Sequence, residues 1–325
     1  MPDAAELERT RTACRQALYG GDDLRPLSQA GGAAATLLGE ARTLLPAVRA
    51  SGEGVSRLAA LEQALAHAGV PVEGGAFERF LIVSAAADAI DRVPQLAVDE
   101  HVRRLLLQAF ESYAAARVHG SFDLARGSFV AMAQIATLSR FPAGQLDWVV
   151  SGIPRSWMFR VPWHALPGLA RSIVFELGGF APAFFSHLNP NRRNRHVLLE
   201  RESLRAYHRM ARSMALQPAI RGLVTASWFH SPDTFAVSPH LSWLNRVFLE
   251  NGGHVVPLGR ADVRSGVLHR SPERQKAYDA GTFTPTEALV IWPRAAMLAW
   301  ADGHADLSDH TGGCDRVLVA QGARA

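Results

Sequence analysis

Ile173-Val-Phe-Glu-Leu-Gly178, Ala183-Phe-Phe-Ser-His-Leu188, Asn189-Pro-Asn-Arg-Arg-Asn-Arg-His196 and Gly222-Leu-Val-Thr-Ala-Ser-Trp-Phe229 decide how the chain is read. The first two are short apolar runs bounded by Gly, Pro and Asn, and read as strands. Residues 202–216 carry apolar positions at helical spacing, and Gly222–Phe229 returns to a strand-like run. Residues 239–250 predict a second helix, followed by strands at His254-Val-Val-Pro-Leu258 and Ala288-Leu-Val-Ile-Trp292. Strand, strand, basic loop, helix, strand, helix, strand, strand is the order of an α/β domain.

Upstream the pattern changes. Helical spacing recurs over residues 5–19, 33–50 (bent at Pro46), 55–68, 77–92 and 99–118, and almost no period-two alternation precedes Phe129. Residues 129–139 suit a short helix or a strand, and Leu146–Val150 begins the sheet. Residues 165–171 read as a short helix, 272–280 as a helix capped by Ser271 with Pro272 in its first turn, and 295–302 as the last helix. The expected fold is α+β: an all-helical unit over residues 1–120 packed on a mixed-sheet α/β domain over 121–303, with a loosely ordered tail over 304–325.

The chain of 325 residues is 48% hydrophobic and 20% charged, as globular proteins are. No apolar run approaches the roughly 20 residues that span a bilayer. The charged start Met1-Pro-Asp-Ala-Ala-Glu-Leu-Glu-Arg9 is unlike a signal peptide, so a cytoplasmic setting is expected. Cys14 and Cys314 lie at opposite ends and form no disulfide framework. Lys276 is the one lysine among 34 basic residues. Residues 1–150 carry 14 arginines against 17 carboxylates, whereas the remainder carries 20 basic residues against 13 acidic ones. An anionic ligand or acidic partner therefore suits the second part. No helix-turn-helix, zinc-finger or RNA-binding signature accompanies the charge, so nucleic acid is not an expected partner.

Three common chemistries are excluded by their missing motifs. There is no Gly-x-Ser-x-Gly elbow, no Gly-x-x-x-x-Gly-Lys-Ser/Thr loop and no Gly-x-Gly-x-x-Gly fingerprint. The helical unit lacks the Glu-x-x-His pairs of a di-iron bundle. His304, His310 and Cys314 lie close in sequence but not at a metal-ligand spacing, and no metal ligand is assigned. The loop Asn189–His196 follows a strand and precedes a helix, where unpaired N–H groups favour an anion. Arg192, Arg193 and Arg195 add guanidinium forks suited to phosphate or carboxylate; the other reading of the loop is a solvated basic turn.

This order of elements over about residues 145–294 resembles the second half of the GNAT superfamily of N-acyltransferases. The segment Leu244-Asn-Arg-Val-Phe-Leu-Glu-Asn-Gly-Gly-His-Val-Val-Pro-Leu-Gly259 is similar in pattern to the helix and strand that close that family's core. The resemblance implies that the strand before the loop and the strand after the helix splay apart and admit the donor's pantetheine arm. The family's usual coenzyme A loop contains glycines, and this loop has none. The likeness therefore points to branches that accept acyl groups from acyl carrier protein, such as the long-chain N-acyl amino acid synthases.

On that resemblance the expected activity moves an acyl group from a thioester, acyl carrier protein or acyl-CoA, to a small amine or amino acid. Arg192, Arg193 and Arg195 would hold the donor. Glu176 and His187 are candidate bases if their strands pair as a hairpin, Ser227 a hydrogen-bond donor and Tyr207 an acid. No tightly bound cofactor is expected; a homodimer is compatible with the sequence. Two other functions stay open: an adaptor binding an anion or acidic protein, and a biosynthetic metalloenzyme with sequence-distant histidine ligands.

Overall fold

The computed structural model describes residues 2–48, 54–116, 127–188, 199–263, 267–268 and 271–308. It divides into two compact units, one over residues 1–147 with 188–197 and 310–325, the other over 148–187 and 198–309. Arg192, Arg193 and Arg195 lie outside the described residues, as do His310 and Cys314.

The described residues of the first unit are largely helical. Its helices are α1 (Ala4–Arg15), α2 (Arg25–Ser28), α3 (Gly32–Leu44), α4 (Val55–His67), α5 (Ala76–Ala89), α6 (Glu100–Ala115) and α7 (Gly127–Ala136). α1 starts at a capping box: Asp3 Oδ1 accepts from Glu6 N at 2.6 Å, and Glu6 Oε2 accepts from Asp3 N at 3.1 Å. Asp99 caps α6 by accepting from His101 N at 2.9 Å. The ambiguous run after residue 127 resolves as helix α7, because Phe129, Val130, Ala131, Met132 and Ala133 are all buried and a helix sheathed on every side has no polar face. α5 is likewise buried almost all round. The Arg79 guanidinium inside it is ion-paired with Asp23 and donates to the Ala114 carbonyl at 2.7 Å.

The strands are β1 (Arg140–Pro142), β2 (Leu146–Ser151), β3 (Ala183–Leu188), β4 (Gly222–Ser227), β5 (His254–Arg260) and β6 (Thr286–Pro293). They form one mixed sheet in the order β1-β2-β3-β4-β6-β5. The helices of the second unit are α8 (Leu166–Arg171), α9 (Glu200–Ala215), α10 (Pro232–Val237), α11 (Trp243–Leu249), α12 (Pro272–Asp279) and α13 (Arg294–Gly303). Ser271 accepts from Arg274 N at 3.2 Å and caps α12 as its sequence predicts. The fold is thus α+β. Among the described residues no helix is long and apolar enough to cross a membrane.

One predicted strand is absent. Residues 172–176 continue α8 as a wide helical turn, and Gly178 (φ 68°) and Gly179 (φ 102°) end it in the left-handed region. Ile173 and Leu177, four apart, are buried, whereas Val174 and Phe175 face solvent. That is helical periodicity; a run of only six residues carries both periods, and the buried pair selects the helix. Glu176 therefore sits on a helix, and the expected hairpin with the His187 strand does not form.

The two faces of the sheet in the second unit are filled differently. Ala183, Phe185, Val224, Val256, Leu289 and Ile291 pack under the segment 153–177. Against the opposite face, Tyr207 of α9 and Phe248 of α11 stack edge-on with Trp292, at centroid separations of 5.1 Å (Tyr207–Phe248), 6.0 Å (Tyr207–Trp292) and 5.2 Å (Phe248–Trp292).

Candidate functional site

β3 and β4 run parallel, joined by α9 as their crossover helix, and their backbone pairing is short. Among the described residues the ladder comprises Phe184↔Leu223 and Phe185↔Val224. One residue further on, the Thr225 hydroxyl donates to the Ser186 carbonyl at 3.2 Å and ties the two strands. On its other edge β4 stays paired with β6 over six residues, from Gly222↔Pro293 to Ser227↔Ala288. Beyond these pairs β3 continues to Leu188 and β4 to Ser227, so the carboxyl ends of two parallel strands stand side by side.

Paired residues of neighbouring strands share a face, which fixes the side chains around these strand ends. His187 lies on the face of Ala183 and Phe185, with its ring 4.8 Å from that of Phe185. Glu287, one position before Ala288 on β6, projects to the same face and accepts from Arg160 Nη2 at 2.6 Å. Ser227 projects to the other face, and its Oγ accepts from Phe229 N at 3.3 Å, capping the turn that follows β4.

The same end of the sheet carries a polar chain. Thr286 Oγ1 donates to Asp233 Oδ2 at 2.6 Å and is hydrogen-bonded to Ser231 Oγ. A hydroxyl has one proton, so Ser231 must be the donor to Thr286. Beside it His230 Nδ1 is 2.9 Å from Asn245 Oδ1, and Asn245 Nδ2 donates to the His230 carbonyl at 2.8 Å. Burial pushes the His230 imidazole down to about 4, against the raising effect of its bond to Asn245. It is a neutral brace for the turn after β4.

The four candidate residues do not converge. Glu176 Oε2 lies 2.9 Å from His254 Nε2, an ion pair when the imidazole is protonated. His254 pairs with Ile291 on the edge strand, so three strand spacings, on the order of 14 Å, separate it from β3 and His187. Tyr207 is 3% exposed in the aromatic core of the opposite face, and burial raises its phenol well above the ordinary range. His187 and Ser227 lie near the carboxyl ends of β3 and β4, on opposite faces of the sheet.

No protein-family model matches this chain, and no curated protein matches it. Among solved structures, one described as an acyltransferase in complex with decanoyl-CoA and teicoplanin is similar over 90% of this chain and 90% of its own, with a TM-score of 0.43 and 12% identity. At that distance the likeness assigns neither an activity nor a residue.

Glu287, Arg160, Thr286 and Asp233 are the polar groups that sequence reading passes over. A signal for Glu287 does exist: Glu287, Leu289 and Ile291 alternate, which puts the carboxylate in line with two core side chains. Arg160 carries no comparable signal, since it reaches Glu287 from an irregular segment more than 100 residues away, and Asp233 reads as an ordinary first-turn carboxylate of α10. Among the described residues no group of three or more His, Cys, Asp or Glu side chains comes together as metal ligands.

Proposed function

We propose that the chain is an acyltransferase that moves an acyl group from a thioester donor, acyl carrier protein or acyl-CoA, to a small amine or amino acid. One observation carries this reading: the parallel edges of β3 and β4, joined by a crossover helix, with β4 held along its other edge by β6 and with His187 and Ser227 near the two carboxyl ends. Edges of this kind offer N–H and C=O groups to an extended amide-bearing arm, and pantetheine is such an arm. The crossover helix between the two strands and the antiparallel closure by β5 and β6 support placement in the GNAT superfamily.

In this reading the amine attacks the thioester carbonyl within reach of His187, whose imidazole takes the proton released as the C–N bond forms. The oxyanion collapses, the C–S bond breaks, and the departing thiolate takes a proton to leave as the free thiol. Glu287, held by Arg160, faces the side of the sheet from which an ammonium or amino-acid acceptor would approach. Arg192, Arg193 and Arg195, which follow β3 in sequence, would meet the donor's phosphate or an acidic carrier protein. The thioester is a co-substrate and no resident cofactor is required; a homodimer is compatible with the scheme. Glu176 and Tyr207 act structurally, through His254 and the aromatic core.

The test is release of free thiol from acyl-CoA and acyl-carrier thioesters of several chain lengths, with an amine and amino-acid panel. Thiol release that depends on both protein and amine, with the N-acyl product identified by mass, is the expected result. Failure of every donor to bind or react overturns the reading.

A further inference from the structure

The segment 155–180 is a single layer with two unlike sides. Its inner side joins the core over the sheet through Val161, Leu169, Ile173 and Leu177. Its outer side presents Phe159, Trp163 and Phe175 at 92%, 83% and 80% exposure, with Val174 and Phe180 also exposed. Each such ring offers roughly 150–250 Å² of surface, so together they are comparable with the largest apolar patch of a typical monomer, roughly 300–600 Å², which is often a functional surface. They stand on three different short turns and protrude singly, which a shaped protein groove could receive only by moulding to each one.

The charges around these rings are basic. Between residues 155 and 180 the ionisable carboxylates and guanidiniums are Arg155, Arg160, Arg171 and Glu176. Glu176 is engaged by His254 and Arg160 by Glu287. Arg155 and Arg171 are both exposed and have no carboxylate partner among the described residues. Arg155 lies over the Phe180 ring at 5.6 Å, the pairing of cation and aromatic side chain that suits the headgroup region of a bilayer.

We propose that the outer side of this segment docks on an anionic lipid surface. Phe159, Trp163 and Phe175 enter the boundary between headgroups and acyl chains, and Arg155 and Arg171 meet the lipid phosphates. A fluid bilayer accepts separately protruding rings without shape complementarity, and anionic headgroups supply the charge that the arginines lack. This is peripheral attachment and stands whether or not the chain transfers acyl groups.

The experiment is co-sedimentation of the full chain with phosphatidylglycerol vesicles and with phosphatidylcholine vesicles, at low and high salt. Sedimentation velocity is run on the same samples without lipid. The expected result is salt-sensitive binding to the anionic vesicles, weakened at least about tenfold in the F159S/W163S/F175S variant and about threefold or more in R155Q/R171Q. Both variants should keep the wild-type unfolding midpoint, because the altered side chains face solvent. No binding to anionic vesicles, or binding that the aromatic variant retains, overturns the proposal. So does a wild-type dimer that becomes monomeric in the aromatic variant without any lipid binding, since a second copy would then cover the patch. Capture of an acidic carrier protein in place of vesicles, lost in the same variant, would equally contradict it.

Discussion

His230 is neutral in the folded chain because burial keeps its imidazole from taking a proton until about pH 4, whereas an unconstrained histidine titrates near 6.5. Between those values the unfolded chain binds the extra proton, so stability falls as the pH drops from 6.5 to 4, by on the order of 3 kcal/mol from this group. Asp147 works in the other direction: burial raises its carboxyl to about 6 despite the neighbouring Arg140, so its contribution is present below pH 3.8 and lost as the pH rises through 6. Denaturant titrations across pH 4–7 should therefore show a steeper acid loss in the parent than in His230→Gln. Equal pH slopes would mean that His230 takes up its proton as readily in the folded as in the unfolded chain. For catalysis, His187→Ala should lower kcat by about 10²–10⁴-fold with little change in unfolding midpoint, as expected for removal of a general base. An unchanged kcat would move the base elsewhere.

Among the elements, β4 is the one on which the account depends, since it pairs antiparallel with β6 along one edge and parallel with β3 along the other. Gly222 begins it at a point of close approach: a Cβ there would lie 2.6 Å from the Trp292 carbonyl oxygen and 2.9 Å from Leu177 Cδ2. Gly222→Ala should cost about 1–3 kcal/mol, measured by equilibrium unfolding, because a backbone oxygen cannot move aside as a side chain can. Thr225→Val deletes the hydroxyl that bridges to Ser186 and should cost about 1 kcal/mol while altering donor KM more than overall stability would explain. β3, β4, β5, β6, α9 and α12 are legible in the sequence because each has its own period or cap. The turn at residues 172–176 is not, since Ile173-Val-Phe-Glu-Leu177 satisfies both periods and only burial of Ile173 with Leu177 distinguishes them. Of the site, His187 and Ser227 could be read from their positions at strand ends. Arg160 could not, because nothing local predicts which distant irregular segment reaches a sheet, and Asp233 could not, because a first-turn carboxylate of α10 has the helix N-terminus as its local explanation.

For the whole molecule, the helical unit and the sheet-bearing unit have separate means of stabilisation. Arg79 is buried inside α5 and engages Asp23 and the Ala114 carbonyl. Burial pulls its guanidinium down, partly offset by Asp23, so Asp23→Ala should destabilise the helical unit by about 1–2 kcal/mol, less than for a fully buried pair because Asp23 is partly exposed. Thermal unfolding of that variant checks the value. The central claim concerns the other unit: the donor's arm lies between β3 and β4. Amide hydrogen exchange with a non-reactive thioether analogue of the donor tests it most directly. The account predicts added protection at Ser186–Leu188 and Thr225–Trp228, with the paired stretch Val224–Gly222 already protected and unchanged. Binding of the analogue with no change at those amides, or with protection confined to the helical unit, would contradict it.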